Sequence, residues 1–408
     1  MTEEKEWNKL TYEIFSRLEK DWLDNLWLPS ALSPSPCTTR ILSIDGGGMK
    51  GLVAAQALVH LESRIQAHSS NPDARIADYF DVVAGTGIGG IFAALILADD
   101  GRGRPLYSAA EAVRLVANNS RRMFKRGLLR RGFSGRSLDA FLAEAFRRPD
   151  GDRCPLTLRD TLKPLLVPCY DLRTGAPFVF SRADAAESLS FDFELHRVCR
   201  ATSATPYLFR PVELASVDGR TECTAVDGGL VMNNPASAAV THVLHNRRDF
   251  PAVRGVEDLV VLSLGNGPLE KGGAGRRERR RWSAENCSAP VVEVVLDGVS
   301  DAVDQILTNA FSACPQNYVR IQASYLPKEL EAGMDGWSVR SVKAFLNAGE
   351  KMLQEKSMES LPFGGKKLAA QPNCERLDAF AKRVVAAGKL PPTGARNSDA
   401  KQSPLRQH

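Results

Sequence analysis

Three glycine-rich turns, each following an apolar run, carry the residues best suited to chemistry: DGGGMKG at 45–51, GTGIGG at 85–90 and DGG at 227–229, the last leading into NNP. Consecutive glycines at the start of a helix let backbone N–H groups converge, which suits a developing oxyanion. Gly46, Gly47 and Gly48 are the candidates for that oxyanion hole. A strand that breaks sharply into a helix between small residues holds its central residue in the strained conformation that lifts a nucleophilic serine from the sheet. Gly85 and Gly89 stand where those small elbow residues belong, but the central position is Gly87, a vacant nucleophile position. An aspartate at a strand end before two glycines is either a turn former or a carboxylate fixed as a general base, and Asp227 has that setting.

The first turn also contains a literal GxGxxG at Gly46, Gly48 and Gly51. A dinucleotide fingerprint is opposed by Asp45 directly before the first glycine and by AHSSNPDAR downstream, which offers no second strand ending in a ribose-binding carboxylate. A tight structural turn and an anion cradle remain, and the cradle is preferred.

The elements that must position these turns are short apolar strands alternating with helices. TRILSI, FDVVAG, PLLVPCYD, CTAVD, LVVLSL and NYVRI read as strands, and Ala54, Leu58, Leu61 and Ile65 mark a helix by their spacing. The pattern predicts an α/β fold with a largely parallel central sheet flanked by helices. Ligands in such sheets sit beyond the carboxyl ends of the strands, where all three glycine turns gather. Ahead of this domain, Trp7, Leu10, Ile14, Leu18 and Trp22 describe an amphipathic helix over residues 7–28, either a brace packed on the domain or a membrane-surface or partner helix. The expected organisation is an amphipathic extension at 1–38, a domain at 39–357 with its signature-bearing core at 39–247, and a flexible tail at 358–408, where the composition turns polar and rich in glycine and proline.

DGGGMKG, GTGIG and DGG occur in the order found in the patatin-like family of lipid acyl hydrolases, which the chain resembles over 39–247 and more weakly to about 357. RATSATPYLFRPV at 200–212 is similar to that family's segment between elbow and aspartate. The resemblance implies a patatin-like three-layer fold and a Ser-Asp dyad without histidine. It makes Asp227 the general base and the glycines at 46–48 the oxyanion hole. Lys50 replaces the family's arginine, and Gly87 replaces its serine, as in a plant subgroup with GxGxG that is generally classed as acyl hydrolases.

No substitute nucleophile is evident in the motifs. Thr86 should point away from Asp227, Ser43 lies two residues before Asp45, and His242 and His245 read as ordinary polar residues of the following helix. Two outcomes follow. Water in the vacated space, deprotonated by Asp227, hydrolyses an ester directly and slowly, since losing the nucleophile in a serine hydrolase costs about a million-fold yet leaves roughly a thousand- to ten-thousand-fold acceleration over water. Alternatively the fold serves as an inactive lipid-binding or regulatory member. Membrane glycerolipids, phospholipids or galactolipids, are the expected substrate or ligand.

The 408 residues carry a formal net charge of +5, concentrated in SRRMFKRGLLRRGFSGR at 120–136 and RRERRRW at 276–282. Such runs favour anionic membrane surfaces or are simply solvated loops, and no nucleic-acid-binding pattern accompanies them. Eight cysteines without a CxxC pair indicate reduced thiols and neither a metal site nor a disulfide framework, and no cofactor is expected. MTEEKEWNKL lacks the apolar region of a signal peptide, and IFAALILA is too short to span a bilayer. The expectation is a cytoplasmic protein, peripheral at the inner face of the plasma membrane, with its oligomeric state left open.

Overall fold

The computed structural model describes residues 38–125, 133–148, 154–268, 287–327, 330, 338–361 and 365–389. The amino-terminal amphipathic helix and the basic run at 276–282 lie outside the described residues, as does much of the run at 120–136. The described residues from Thr39 onward form one compact unit.

The six strands expected from the apolar runs are present. In chain order the first half comprises β1 (Thr39–Ile44), α1 (Gly51–Ser69), β2 (Val82–Gly85), α2 (Gly87–Leu95), α3 (Ala109–Met123), α4 (Gly135–Ala145), β3 (Leu165–Asp171), β4 (Ala176–Ser181), α5 (Arg182–Glu187) and α6 (Leu195–Thr202). There follow β5 (Val212–Ala215), β6 (Glu222–Asp227), α7 (Gly229–Met232), α8 (Ala236–His245), β7 (Leu259–Leu264), α9 (Ser288–Ala310), β8 (Tyr318–Ile321), α10 (Val339–Gln354), β9 (Met358–Leu361), β10 (Gly365–Leu368) and α11 (Asn373–Ala386). The main sheet runs β5-β6-β3-β2-β1-β7-β8, with β4 also paired to β3. The centre, β3-β2-β1-β7-β8, is parallel, whereas β4, β5 and β6 add antiparallel pairs on one side.

Because side chains alternate along a strand, the sheet sorts its apolar residues into two cores. Leu42, Ile44, Val83, Leu262 and Leu264 face α1 and α2, on which α10 packs through α1, while Ile41, Val82, Ala84 and Val261 face α8 and the end of α9. The result is a three-layer α/β fold.

Register explains how two distant turns meet. Leu166 of β3 pairs with both Ala84 of β2 and Ser181 of β4, so β2 and β4 occupy opposite edges of β3. Cys169 pairs with both Phe178 of β4 and Asp227 of β6, which puts β6 on the same edge as β2. The two strands run toward each other along that edge and stop. The turn after β2 therefore faces the turn after β6.

The expected flexible tail from residue 358 is corrected. β9 and β10 form a hairpin, and α11 buries Leu377, Phe380, Ala381 and Val384 in the core beside α1, with Phe380 stacked on Phe80 at 6.1 Å. Arg40 donates to the carbonyls of Ala387 and Gly388 at 3.0 and 2.7 Å, tying down the end of that helix. Leu377, Phe380, Ala381 and Val384 recur at helical spacing, and burial of that face outweighs the polar composition around it.

Candidate active site

The turn after β2 has elbow geometry. Gly87 is left-handed at φ +53° and starts α2, while Thr86 before it is extended. The flanking glycines are sterically required: a Cβ on Gly85 would lie 2.5 Å from the carbonyl oxygen of Gly89, and one on Gly89 would lie 2.4 Å from that of Asp45. At Gly87 a Cβ meets only ordinary contacts, 3.6 Å to Gly46 Cα and 3.8 Å to Asp227 Oδ1. A Cβ would thus fit between the glycine loop and the carboxylate, where the sequence provides none. The Gly87 amide donates to Thr202 Oγ1 at 3.0 Å, and that hydroxyl donates to the Pro168 carbonyl at 2.7 Å, filling the gap in the β3 edge between β2 and β6.

Asp227 is only 5% exposed. Its backbone amide donates to the carbonyl of Ala204 at 3.1 Å. Its Oδ1 accepts the Gly229 amide at 2.8 Å and its Oδ2 accepts the Thr205 hydroxyl at 2.6 Å. Burial raises its pKa above the ordinary carboxylate value, and the Thr205 and Gly229 hydrogen bonds oppose the rise by favouring the ionised form. No cation pairs with it among the described residues, so only those two hydrogen bonds offset its burial.

The glycine loop divides its work differently from the expectation. Gly46 is buried, and its amide donates to the Asn233 carbonyl at 2.9 Å, so it has no proton to offer an oxyanion. The candidate donors narrow to Gly47 and Gly48, which stand at φ +116° and +59° and give their amides to no protein acceptor among the described residues. Asn266, just beyond β7, donates its side-chain amide to the Gly46 carbonyl. In a trans peptide the C=O and N–H point in opposite directions, so this bond turns the Gly47 N–H away from Asn266. Lys50, where the family has arginine, makes a single 2.8 Å contact with Asp297 of α9.

Behind the loop, Arg320 of β8 grips Asp45 through both terminal nitrogens at 2.8 and 2.6 Å and also donates to Ser263 Oγ at 2.7 Å. Asp45 is 2% exposed and Arg320 5%. Ser300 of α9 donates to Asp45 and accepts from Asn233 Nδ2 at 2.8 Å, joining the glycine loop, β8, α9 and the DGG turn in one buried network. Nothing in the sequence singled out Arg320, Asn266 or Thr205, although Thr205 lies inside the RATSATPYLF segment that carried the resemblance.

The other side chains considered lie as their positions implied. Thr86 Oγ1 donates to the Met232 carbonyl at 2.6 Å, turned from Asp227, and Ser43 is buried against Asn234. His242 packs edge-on to Phe250 with its pKa lowered by burial, and His245 bonds the Thr241 carbonyl.

Comparison with known proteins agrees with this geometry. A family model for patatin-like phospholipases matches residues 42–240. Probable inactive patatin-like protein 9 of Arabidopsis thaliana is 51% identical over 402 residues, covering 97% of each chain. Patatin-like protein 6 of the same plant is 42% identical over 427 residues, spanning 93% of this chain and 84% of its own. Patatin-like protein 3 of Oryza sativa subsp. indica is 42% identical over 394 residues, with 93% and 90% covered. With that identity over nearly its whole length, and with the elbow, glycine loop and aspartate brought together, the chain belongs to the patatin-like phospholipase family.

Proposed function

We propose that the protein is a lipid acyl hydrolase of low turnover that releases fatty acids from membrane glycerolipids, phospholipids or galactolipids. The observation that carries the reading is the space above Gly87, bounded by Gly46 Cα at 3.6 Å and Asp227 Oδ1 at 3.8 Å from the position a Cβ would take. In this reading an ester enters that space beside the buried base, with its carbonyl oxygen turned to the Gly47 and Gly48 amides. Asp227 takes the proton of an attacking oxygen, the two amides stabilise the tetrahedral oxyanion, and the alcohol leaves with the proton from Asp227. Slowness follows from the missing elbow hydroxyl.

The site works at a membrane surface in this reading. Arg121, Arg122, Lys125 and Arg136 are exposed, and surface basic side chains contribute about 1 kcal/mol each toward anionic headgroups. Binding to anionic vesicles should weaken with salt, because the attraction is screened over about 10 Å at 0.1 M. Equal binding to neutral and anionic vesicles at low salt would remove this part of the proposal.

A second reading, lipid binding without turnover, is favoured by the name of the Arabidopsis relative at 51% identity, a probable inactive protein. One experiment separates the two. Fatty-acid release from mixed phospholipid and galactolipid vesicles is followed for the wild type and for Asp227→Ala from parallel preparations. Release that disappears with Asp227 supports hydrolysis, whereas its absence from both, with vesicle binding retained, supports the binding module.

A further inference from the structure

We propose that the Thr205 hydroxyl is the nucleophile of this site, activated by Asp227 in place of the absent serine. The inference rests on the acyl-hydrolase reading and names the oxygen that attacks.

The geometry is that of a hydroxyl-carboxylate dyad. Thr205 Oγ1 donates to Asp227 Oδ2 at 2.6 Å, while Oδ1 of the same carboxylate faces the space above Gly87. The two partners are locked together: the Asp227 amide donates to the Ala204 carbonyl, and the Thr205 carbonyl accepts the amides of Leu208 and Phe209 at 3.1 and 2.9 Å. Neighbouring hydroxyls are spent differently. Those of Thr86 and Thr202 donate to backbone carbonyls, that of Ser43 faces Asn234, and all three residues are buried. The Ser203 hydroxyl is buried without a hydrogen-bond partner among the described residues. Thr205 is half-buried, unlike Thr86, Thr202 and Ser43, and its hydroxyl is the one bonded to Asp227. Threonine is a competent acyl nucleophile once a base takes its proton. Gly87 then has a positive role. By carrying no side chain it leaves the ester carbon room to settle beside Asp227, next to the hydroxyl on the carboxylate's other oxygen.

The chemistry balances. Oγ1 bonds to the ester carbonyl carbon as its proton passes to Asp227, and the oxyanion forms at the glycine amides. The C–O bond to the alcohol breaks, and the alcohol leaves with the proton from Asp227. Water attacks the acyl-threonine, giving a proton to Asp227, and the fatty acid departs as that proton returns to Oγ1.

The test uses wild type, Thr205→Val, Thr205→Ser and Asp227→Asn, each checked by thermal melting, with p-nitrophenyl butyrate as substrate and a fluorophosphonate as covalent probe. Valine keeps the shape of threonine and removes the oxygen. The expected result is a phosphonyl adduct that fragment-ion sequencing places on Thr205, lost in Thr205→Val together with at least about tenfold in hydrolysis, and both restored in Thr205→Ser. If Thr205→Val hydrolyses at the wild-type rate and still depends on Asp227, water is the attacker; the proposal falls and the hydrolase reading stands. Slower hydrolysis in Thr205→Val with no adduct on the wild type reduces Thr205 to a positioning residue, and an adduct on Ser203 assigns the nucleophile elsewhere. Either overturns the proposal. No Asp227-dependent hydrolysis and no adduct in any variant overturns both the proposal and the hydrolase reading.

Discussion

Gly87→Ser tests the site most directly. The ideal Cβ at this position has no contact closer than 3.6 Å, so the substitution costs only what the backbone charges for a side chain at φ +53°. That cost is about 1 to 2 kcal/mol for a left-handed residue other than glycine. The Cβ stands 3.8 Å from Asp227 Oδ1, and one further C–O bond brings the introduced hydroxyl within hydrogen-bond range of that oxygen. The glycine amides are unchanged. Hydrolysis of p-nitrophenyl butyrate should rise at least about tenfold, equivalent to about 1.4 kcal/mol of barrier and far below the full nucleophile effect. The gain should persist in a Thr205→Val background, where the introduced serine is the hydroxyl that Asp227 serves, and a fluorophosphonate should label position 87. A folded variant with a slightly lowered melting temperature, no rate gain and no label would refute the reasoning. The glycine loop or the base would then be out of place for acyl transfer, and lipid binding without turnover would become the better reading.

Asp227→Asn should abolish hydrolysis and yet melt at a higher temperature than wild type near neutral pH. Burial raises the folded pKa of Asp227 above 3.8, so the native state holds its proton longer than the unfolded chain, and stability falls as pH rises through that window. Calorimetry over a pH series should show the gain shrinking toward the ordinary carboxylate range, while wild-type activity climbs with pH as the base ionises. Arg320→Met should leave the Asp45 charge buried without its partner and cost about 3 to 5 kcal/mol in urea unfolding, with much of the loss recovered in Asp45→Asn/Arg320→Met. Asn266→Ala frees the Gly46–Gly47 peptide to rotate, so in the Gly87→Ser enzyme it should lower kcat by about a hundred-fold, as loss of an oxyanion donor does, and leave KM unchanged.

Six strands were legible as apolar runs, β1, β2, β6 and β7 of them ending in glycine turns, whereas β4, β5, β9 and β10 were not legible; Gly85 and Gly89 were legible because the backbone excludes a Cβ there. What the sequence hid were partnerships. A glycine triplet promises three convergent amides, but the direction of the first is set by the Asn233 carbonyl, which arrives from a remote turn. Arg320 sits in an ordinary strand, and its role depends on Asp45 emerging two strands away in the same sheet. Thr205 is one of several hydroxyl residues in a polar stretch until β6 delivers a carboxylate to it.

This difference bears on whether the site is a relic. The small residues of the elbow are demanded by the packing of strand against helix, so their presence says nothing about catalysis. Asp227 is another matter. It is buried, lacks an ion pair among the described residues, and has a raised pKa, so at neutral pH it weakens the fold that contains it. A turn former needs no such carboxylate, since an asparagine would accept the Gly229 amide equally well. A carboxylate that costs stability where an asparagine would make the same turn fits the proposed base. The hydroxyl hydrogen-bonded to it is therefore the first place to look for the chemistry that Gly87 cannot supply.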